Sequence, residues 1–348
     1  MKKALSLLLT GIVLAGCSAP ESSLTSGPDK IILAYMTIPD NAAAFLAIER
    51  KFFAQERLEV ETREIRGTAE ALPKLVGGTW QFALVNYVSL FQAEEEQPGA
   101  LDLVSDAYAA LPNTFLMMVG KNSPIKSLKD LKWSGSGRKK KIGVATPNSV
   151  ATLTTEITLN REGISKNDID YAFVKLPDMP QMTEKGGERG GIDVGWHTEP
   201  FITVGQKKGF TTLADACSGP SDNFPIAGYA VSTNWVNSDP RQVQHRADIV
   251  TRFQRALNRA QQIVKNDRTA VTQILPTYTK IDAASAATIA LGSFPTTMEP
   301  KRYQRVADQM LKFGYFKRGE PINAEDVIYR PPGNDPSLNT PSPSGATP

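Results

Sequence analysis

Short apolar runs alternate with stretches of helical periodicity along most of this chain. Lys30–Met36 (KIILAYM) is a near-continuous apolar run of strand length and predicts a buried strand. From Asn41 to Phe53 the residues Phe45, Ile48 and Phe52 fall on one helical face, and Asp40 or Asn41 stands where an N-cap belongs. Leu58–Ile65 (LEVETREI) alternates as a strand, Thr68–Val76 reads as a helix despite Pro73, Phe82–Asn86 (FALVN) as a strand and Val88–Ala93 as a helix. This βαβαβ order predicts a parallel sheet with helices on its faces.

The rhythm then restarts. Lys141–Thr146 predicts a strand, Ser149–Glu162 a helix closed by Gly163, and Ile169–Leu176 and Ile192–His197 two further strands. A long helix is predicted from Gln242 to Lys265, with Ile249, Phe253, Leu257, Ala260 and Val264 along one stripe. Arg252, Arg255 and Arg259 lie on another part of it and read as a solvated face. Two α/β rhythms followed by more helices imply two α/β lobes, and a cleft between such lobes is a common ligand site.

The ends have a different character. Lys2 and Lys3 precede a mostly apolar run, Ala4–Ala15, well short of the ~20 residues that span a bilayer. A positive start, a brief apolar core and small residues describe an export signal. The string Leu14-Ala15-Gly16-Cys17 resembles the lipobox of bacterial lipoproteins. That resemblance implies removal of residues 1–16, lipidation of Cys17 and attachment to the cell membrane on its extracytoplasmic face. The competing reading is an ordinary export signal with a chance cysteine. Residues 17–29, rich in Ser, Pro and Gly, read as a flexible tether, and 331–348 as a disordered tail.

Composition narrows the function. A length of 348 residues suits two lobes, and no second apolar run reaches membrane-spanning length. The formal net charge of +3 falls to +1 once Lys2 and Lys3 leave, which argues against a nucleic-acid partner. With Cys17 lipidated, Cys217 has no disulfide partner and reads as a small buried filler. One thiol and two histidines, His197 and His245, do not make a zinc or iron site, and no cofactor is expected.

Five segments, taken in order, resemble the solute-binding proteins of ABC importers, nearest to the nitrate, sulfonate, taurine and thiamine-pyrimidine-precursor group. Ala47–Val60 (AIERKFFAQERLEV) is similar to a family stretch in which glycine often stands at the places of Lys51 and Arg57. Leu75–Leu84 (LVGGTWQFAL) resembles a second stretch, with Gln81 in place of the usual Asp. Ile125–Val144, Glu162–Val174 (EGISKNDIDYAFV) and Gly191–Phe201 (GIDVGWHTEPF) complete the set. The resemblance implies a type II periplasmic-binding fold: two α/β lobes joined by a two-segment hinge around a ligand cleft. Lobe one would comprise 30–119 and 233–330, and lobe two 120–232, with crossings near Val119–Ser123 and Ala227–Ser232. Trp133–Lys140 reads as a local insertion, its basic cluster from Arg138 to Lys141 as a solvated loop, with contact to anionic lipid headgroups as the lesser alternative.

In open α/β sheets ligands sit beyond the carboxyl ends of the strands. That rule selects Thr37 and Asn41 after the first strand, Thr68 after the second, Asn86 and Tyr87 after the third, and Ser149, Trp196, His197 and Glu199 in lobe two. Ser149 and Thr68 open helices whose free amides suit an anion, though Ser149 reads equally as a helix cap. Trp196 and Tyr87 could stack on a planar ligand, or Trp196 could pack the lobe interface. His197 reads either as a donor to an anion or ring nitrogen or as a structural residue. Glu199 reads as a partner for an amino group or as a brace for its loop. Arg66 pairs with an anion or faces water.

The expected function is therefore capture of a small solute and delivery to an ABC permease and its ATPase, by a monomer held to the membrane by lipid. The expected solutes are sulfonate or taurine-like anions, then thiamine pyrimidine precursors, then nitrate-like anions. A sensory module presenting ligand to a receptor is the alternative. An enzyme on the same scaffold is disfavoured: no Ser/His/Asp or Cys/His constellation is evident, and the cysteine-rich iron motif of pyrimidine synthases is absent.

Overall fold

The computed structural model describes residues 27–332. The expected signal, Cys17, most of the tether and nearly all of the tail lie outside them.

Ten strands form two five-stranded sheets. Lobe one holds β1 (Asp29–Tyr35), β2 (Leu58–Glu64), β3 (Phe82–Asn86), β4 (Leu101–Ala109) and β10 (Pro225–Ser232) in the order β2-β1-β3-β10-β4. Lobe two holds β5 (Phe115–Val119), β6 (Lys140–Val144), β7 (Ile169–Phe173), β8 (Val194–Thr198) and β9 (Thr211–Asp215) in the order β7-β6-β8-β5-β9. In each sheet four strands run the same way, and one inserted strand is antiparallel to both neighbours: β10 to β3 and β4, and β5 to β8 and β9. The antiparallel strand is in each case the one the chain lays down just after crossing from the other lobe.

That topology moves both crossings. β5 already belongs to the second sheet, so the chain leaves lobe one at 110–114 rather than near Val119–Ser123. β10 belongs to the first sheet, so the return lies at 216–224 rather than near Ala227–Ser232. Strands β4, β5 and β10 are buried along most or all of their length.

The helices of lobe one are α1 (Ala42–Glu49), α2 (Phe52–Gln55), α3 (Thr68–Val76) and α4 (Tyr87–Glu96). Lobe two carries α5 (Val150–Arg161), α6 (Met179–Lys185) and α7 (Phe201–Lys207). The chain then returns to lobe one through α8 (Thr233–Asn237), α9 (Val243–Asn266), α10 (Arg268–Tyr278), α11 (Ala283–Thr288) and α12 (Pro300–Lys312). The helix expected over Asn41–Phe53 is two helices, because Lys51 turns left-handed at φ 59°. Arg57 does the same at φ 56°. These are the two positions where the resembling family often carries glycine, the residue that adopts this conformation at least cost.

The stripe of α9 predicted as core is buried from Ile249 to Val264. Of its arginines, Arg255 and Arg259 are exposed, as a solvated face requires, while Arg252 is partly buried, and all three are tied to lobe one. Arg252 binds Asp29 at 2.6 Å, Arg255 binds Glu56 at 2.7 Å, and Arg259 lies over the Phe52 ring. Asp29, read as the end of the tether, is thereby the first residue of β1, bonded also to His245 at 2.8 Å. In the basic insertion Arg138 is similarly fixed, to Asp193 at 2.6 Å and to Glu188. Cys217 is buried and burial pushes its thiol up.

A candidate ligand cleft between the lobes

A cavity of about 60 Å³ lies between the two sheets. Its walls come from the carboxyl ends of parallel strands in both lobes: Met36 and Ile38 after β1, Gly67 after β2, Asn86 closing β3, Ala145 and Thr146 after β6, and Trp196 and Thr198 on β8. Phe115, Ile226 and Ala227, from the two inserted strands, complete it. The lobes are in contact here. A Cβ added to Gly67 would stand 3.1 Å from the Thr146 methyl, so glycine permits the close approach.

Three helices begin at this cavity. Thr68 opens α3, Asn86 caps α4, and Ser149 precedes Val150 and Ala151 in α5. The first turn of each helix leaves backbone N–H groups without intrahelical acceptors. Thr68 and Asn86 are joined: the Thr68 Oγ1 accepts from the Asn86 backbone N–H at 3.1 Å and from its Nδ2 at 3.0 Å. The Thr68 hydroxyl proton is thus left free to donate into the cleft. Ser149 donates its hydroxyl to Thr146 O at 3.0 Å, and its N–H goes to Thr152 Oγ1 in the capping-box arrangement that opens α5, while it lines the cavity.

One wall is aromatic. The Trp196 indole stacks on Phe115 with centroids 5.0 Å apart, and its Nε1 donates to Thr154 Oγ1 at 3.1 Å. Trp196 therefore offers a held, flat apolar face.

Asp40 stands in the loop after the first strand to which the carboxyl-end rule points, but its sequence pattern gives it no ligand role of its own beyond that of a cap. Ile38 is extended, as a residue before proline prefers, and Pro39 starts the short 3₁₀ turn Pro39–Asn41 that carries Asp40 inward. Asp40 lines the cavity, is 1% exposed, and its Oδ1 has no hydrogen-bond partner. Burial pushes its carboxyl up to about 7, against a weaker opposing bond from its own backbone. The signal available in sequence was a carboxylate directly after a strand and a proline, at the end where ligands sit.

A family model described as the NMT1-like family matches residues 25–275. The chain belongs to the NMT1-like family. No curated protein sequence matches this NMT1-like chain. Among solved structures, the ligand-binding component of an ABC-type import system from Staphylococcus aureus, with zinc bound, is similar at TM-score 0.68 and 18% identity, covering 86% of this chain and 96% of that one. The alkanesulfonate-binding protein SsuA from Xanthomonas axonopodis pv. citri, bound to MOPS, matches at TM-score 0.67 and 15% identity, covering 88% and 99%. The desulfurization enzyme DSZB matches at TM-score 0.61 and 14% identity, covering 86% and 96%. The fold of this NMT1-like protein is that of periplasmic binding proteins.

Of the expected site residues, Thr68, Asn86, Ser149 and Trp196 converge on the cavity, with Arg66 at its edge. The others do not line it. Tyr87 is turned into the lobe-one core, where its hydroxyl donates to Asp106 at 2.9 Å and its ring stacks on Tyr303. Asp106 is buried, tied to Arg302 at 2.9 Å, and this polar cluster takes the tyrosine the sequence offered to the ligand. Asn41 is buried, donating to Met36 O at 2.7 Å and shaping the turn that presents Asp40. Thr37 is half-buried on the same turn, outside the cavity lining.

His197 follows Trp196 on β8 and so faces the opposite side of the sheet. Its Nε2 lies 3.2 Å from Thr183 Oγ1 of α6, its ring meets Phe210 edge-on, and burial drops it to about 3. It is a neutral structural histidine. Glu199 accepts from the Thr203 backbone at 3.0 Å, from the Thr203 hydroxyl at 3.1 Å and from the Ala290 N–H at 3.3 Å. It braces the start of α7 and links lobe two to the returning chain. Among the described residues no group of three or more His, Cys, Asp or Glu is placed to hold a metal.

Proposed function

We propose that this NMT1-like protein is the extracytoplasmic solute-binding component of an ABC importer, tethered to the cell membrane by lipid at Cys17. It captures one small solute between its lobes and delivers it, as a monomer, to a permease and its ATPase. The observation that carries this reading is the cavity at the carboxyl ends of both sheets, walled by α3 and α4 from one lobe and α5 and Trp196 from the other. A ligand touching both lobes favours the closed arrangement through contacts that only that arrangement supplies. The solute class is a small sulfonate, taurine-like or nitrate-like anion, or a thiamine pyrimidine precursor.

Binding is favoured over catalysis because no thiol or imidazole of the described residues reaches the cleft. Cys217 is buried with a raised thiol, and His197 is buried, neutral and on the far face of β8. The test is a thermal-shift panel on the purified protein with alkanesulfonates, taurine, nitrate and pyrimidine precursors. A ligand at about 100 times its Kd stabilises the folded state by about 2.7 kcal/mol. A shift confined to one class, abolished by Trp196→Ala, is the expected result. A well-folded protein that shifts with none of them overturns the assignment of solute class. Turnover of any of them overturns the binding-protein reading.

A further inference from the structure

The cleft has two chemical ends. Beside the helix starts, which donate, stands a buried acceptor. Asp40 is 1% exposed and lines the cavity, and no side chain binds its carboxyl. The polar groups nearest in charge influence are the Tyr108, Tyr229 and Tyr278 hydroxyls, and each is turned elsewhere. Tyr108 accepts from the Gly292 N–H, Tyr229 reaches Asn41 Oδ1, and Tyr278 donates to Ile38 O at 3.1 Å. Among the described residues, no lysine, arginine or histidine lines the cavity except Arg66, which is exposed at its edge. A carboxyl kept at this depth with no partner beyond its own backbone is costly, so a native structure that retains one invites a role for it.

We infer that Asp40 is a specificity-determining residue, which accepts a hydrogen bond from an N–H group of the ligand and so selects amine-bearing solutes over bare anions. The inference rests on the solute-binding reading above and narrows it. A bare sulfonate or nitrate would bring negative charge beside a carboxyl and satisfy none of its lone pairs. A ligand with an anionic or acceptor end at the first turns of α3 and α5, and an ammonium or amino group toward Asp40, would satisfy both ends. The flat Trp196 face covers the body of such a ligand without adding charge.

The test uses matched pairs in which one member lacks the N–H group: taurine against isethionate, and 4-aminopyrimidine against 4-methylpyrimidine, with ethanesulfonate and nitrate as bare anions. Affinities are measured by calorimetry on the full protein and on the near-isosteric Asp40→Asn and the Asp40→Leu variants. The expected result is a preference of about 10–100-fold for the amine member of at least one pair, the scale set by leaving a buried acceptor unpaired. Asp40→Asn should shrink that preference to a few-fold. The pair comparison in wild type needs no variant, so a folding defect in Asp40→Asn does not spare the inference. Binding of ethanesulfonate, isethionate or nitrate as tightly as the amines overturns it while leaving solute capture intact. An amine preference that persists in Asp40→Leu, whose side chain carries no acceptor, also overturns it, because another residue then reads the nitrogen. Binding of none of the six overturns both this inference and the assignment of solute class.

Discussion

If Asp40 is a carboxyl stranded in an apolar wall, replacing it should make the ligand-free protein more stable, and increasingly so as pH rises. Its folded-state value of about 7 lies above the ordinary 3.8 of an unfolded aspartate. A group raised on folding contributes fully below its unfolded value, and that contribution is lost as pH climbs toward the folded value. Between pH 4 and 7 the unfolded chain releases a proton that the folded protein keeps, and each pH unit costs wild type about 1.4 kcal/mol. The full difference corresponds to about 4 kcal/mol above pH 7, where both states are ionised and the slope vanishes. Asn carries the same shape without the charge. Any fixed cost of burying its amide is the same at every pH and cancels in the comparison. The measurement is urea unfolding of ligand-free wild type and Asp40→Asn at pH 5 and pH 8, both well folded at each. The stability of the variant relative to wild type should rise by roughly 2–3 kcal/mol between them. Equal differences at the two pH values would refute a buried, unpartnered Asp40.

Other expectations follow from single contacts. Gly67→Val places a side chain against the Thr146 methyl across the cleft, so ligand affinity should fall by roughly tenfold while the thermal midpoint barely moves. Unchanged affinity by calorimetry would mean that the lobes do not close here. His197 is held near 3, below its ordinary 6.5, so its contribution is present above pH 6.5 and lost as pH falls toward 3. His197→Gln should flatten the acid limb of stability by about 1.4 kcal/mol per pH unit, read from urea midpoints between pH 4.5 and 6.5. Arg302→Met leaves Asp106 buried beside two tyrosines without its cation, and equilibrium unfolding should show a loss of about 3–5 kcal/mol. Lys51→Gly relieves a left-handed lysine and should add about 0.5–1 kcal/mol, measured the same way.

Elements with their own periodicity were legible in the sequence. Strands β1, β2, β3 and β6 and helices α3, α5 and α9 stand within a residue or two of their expected places, because β2 and α9 write one buried face into the chain while β1, β3 and β6 stand out as short apolar runs. The motifs Ser149 and Gly163 marked the ends of α5 for local reasons that need no tertiary contact: a side-chain cap and a left-handed glycine. Trp196 and His197 could have been separated from sequence by strand alternation alone, since neighbours on a strand face opposite ways.

The sequence alone determined the α/β class, the two lobes and the loops from which a site could be built, since these follow from local period and from the rule that parallel strands present their carboxyl ends together. Only the tertiary structure decided which residues of those loops share one cavity. Strand insertion set the sheet order and hence both crossings, because β5 and β10 are held by partners far away in the chain. Arg302, nearly two hundred residues from Asp106, drew Tyr87 into the core by completing a buried polar cluster there. Asp40 acquired its character in the same way. A carboxylate after a proline is an ordinary turn residue in the chain, and becomes a lone buried acceptor only when two lobes fold over it and remove the water.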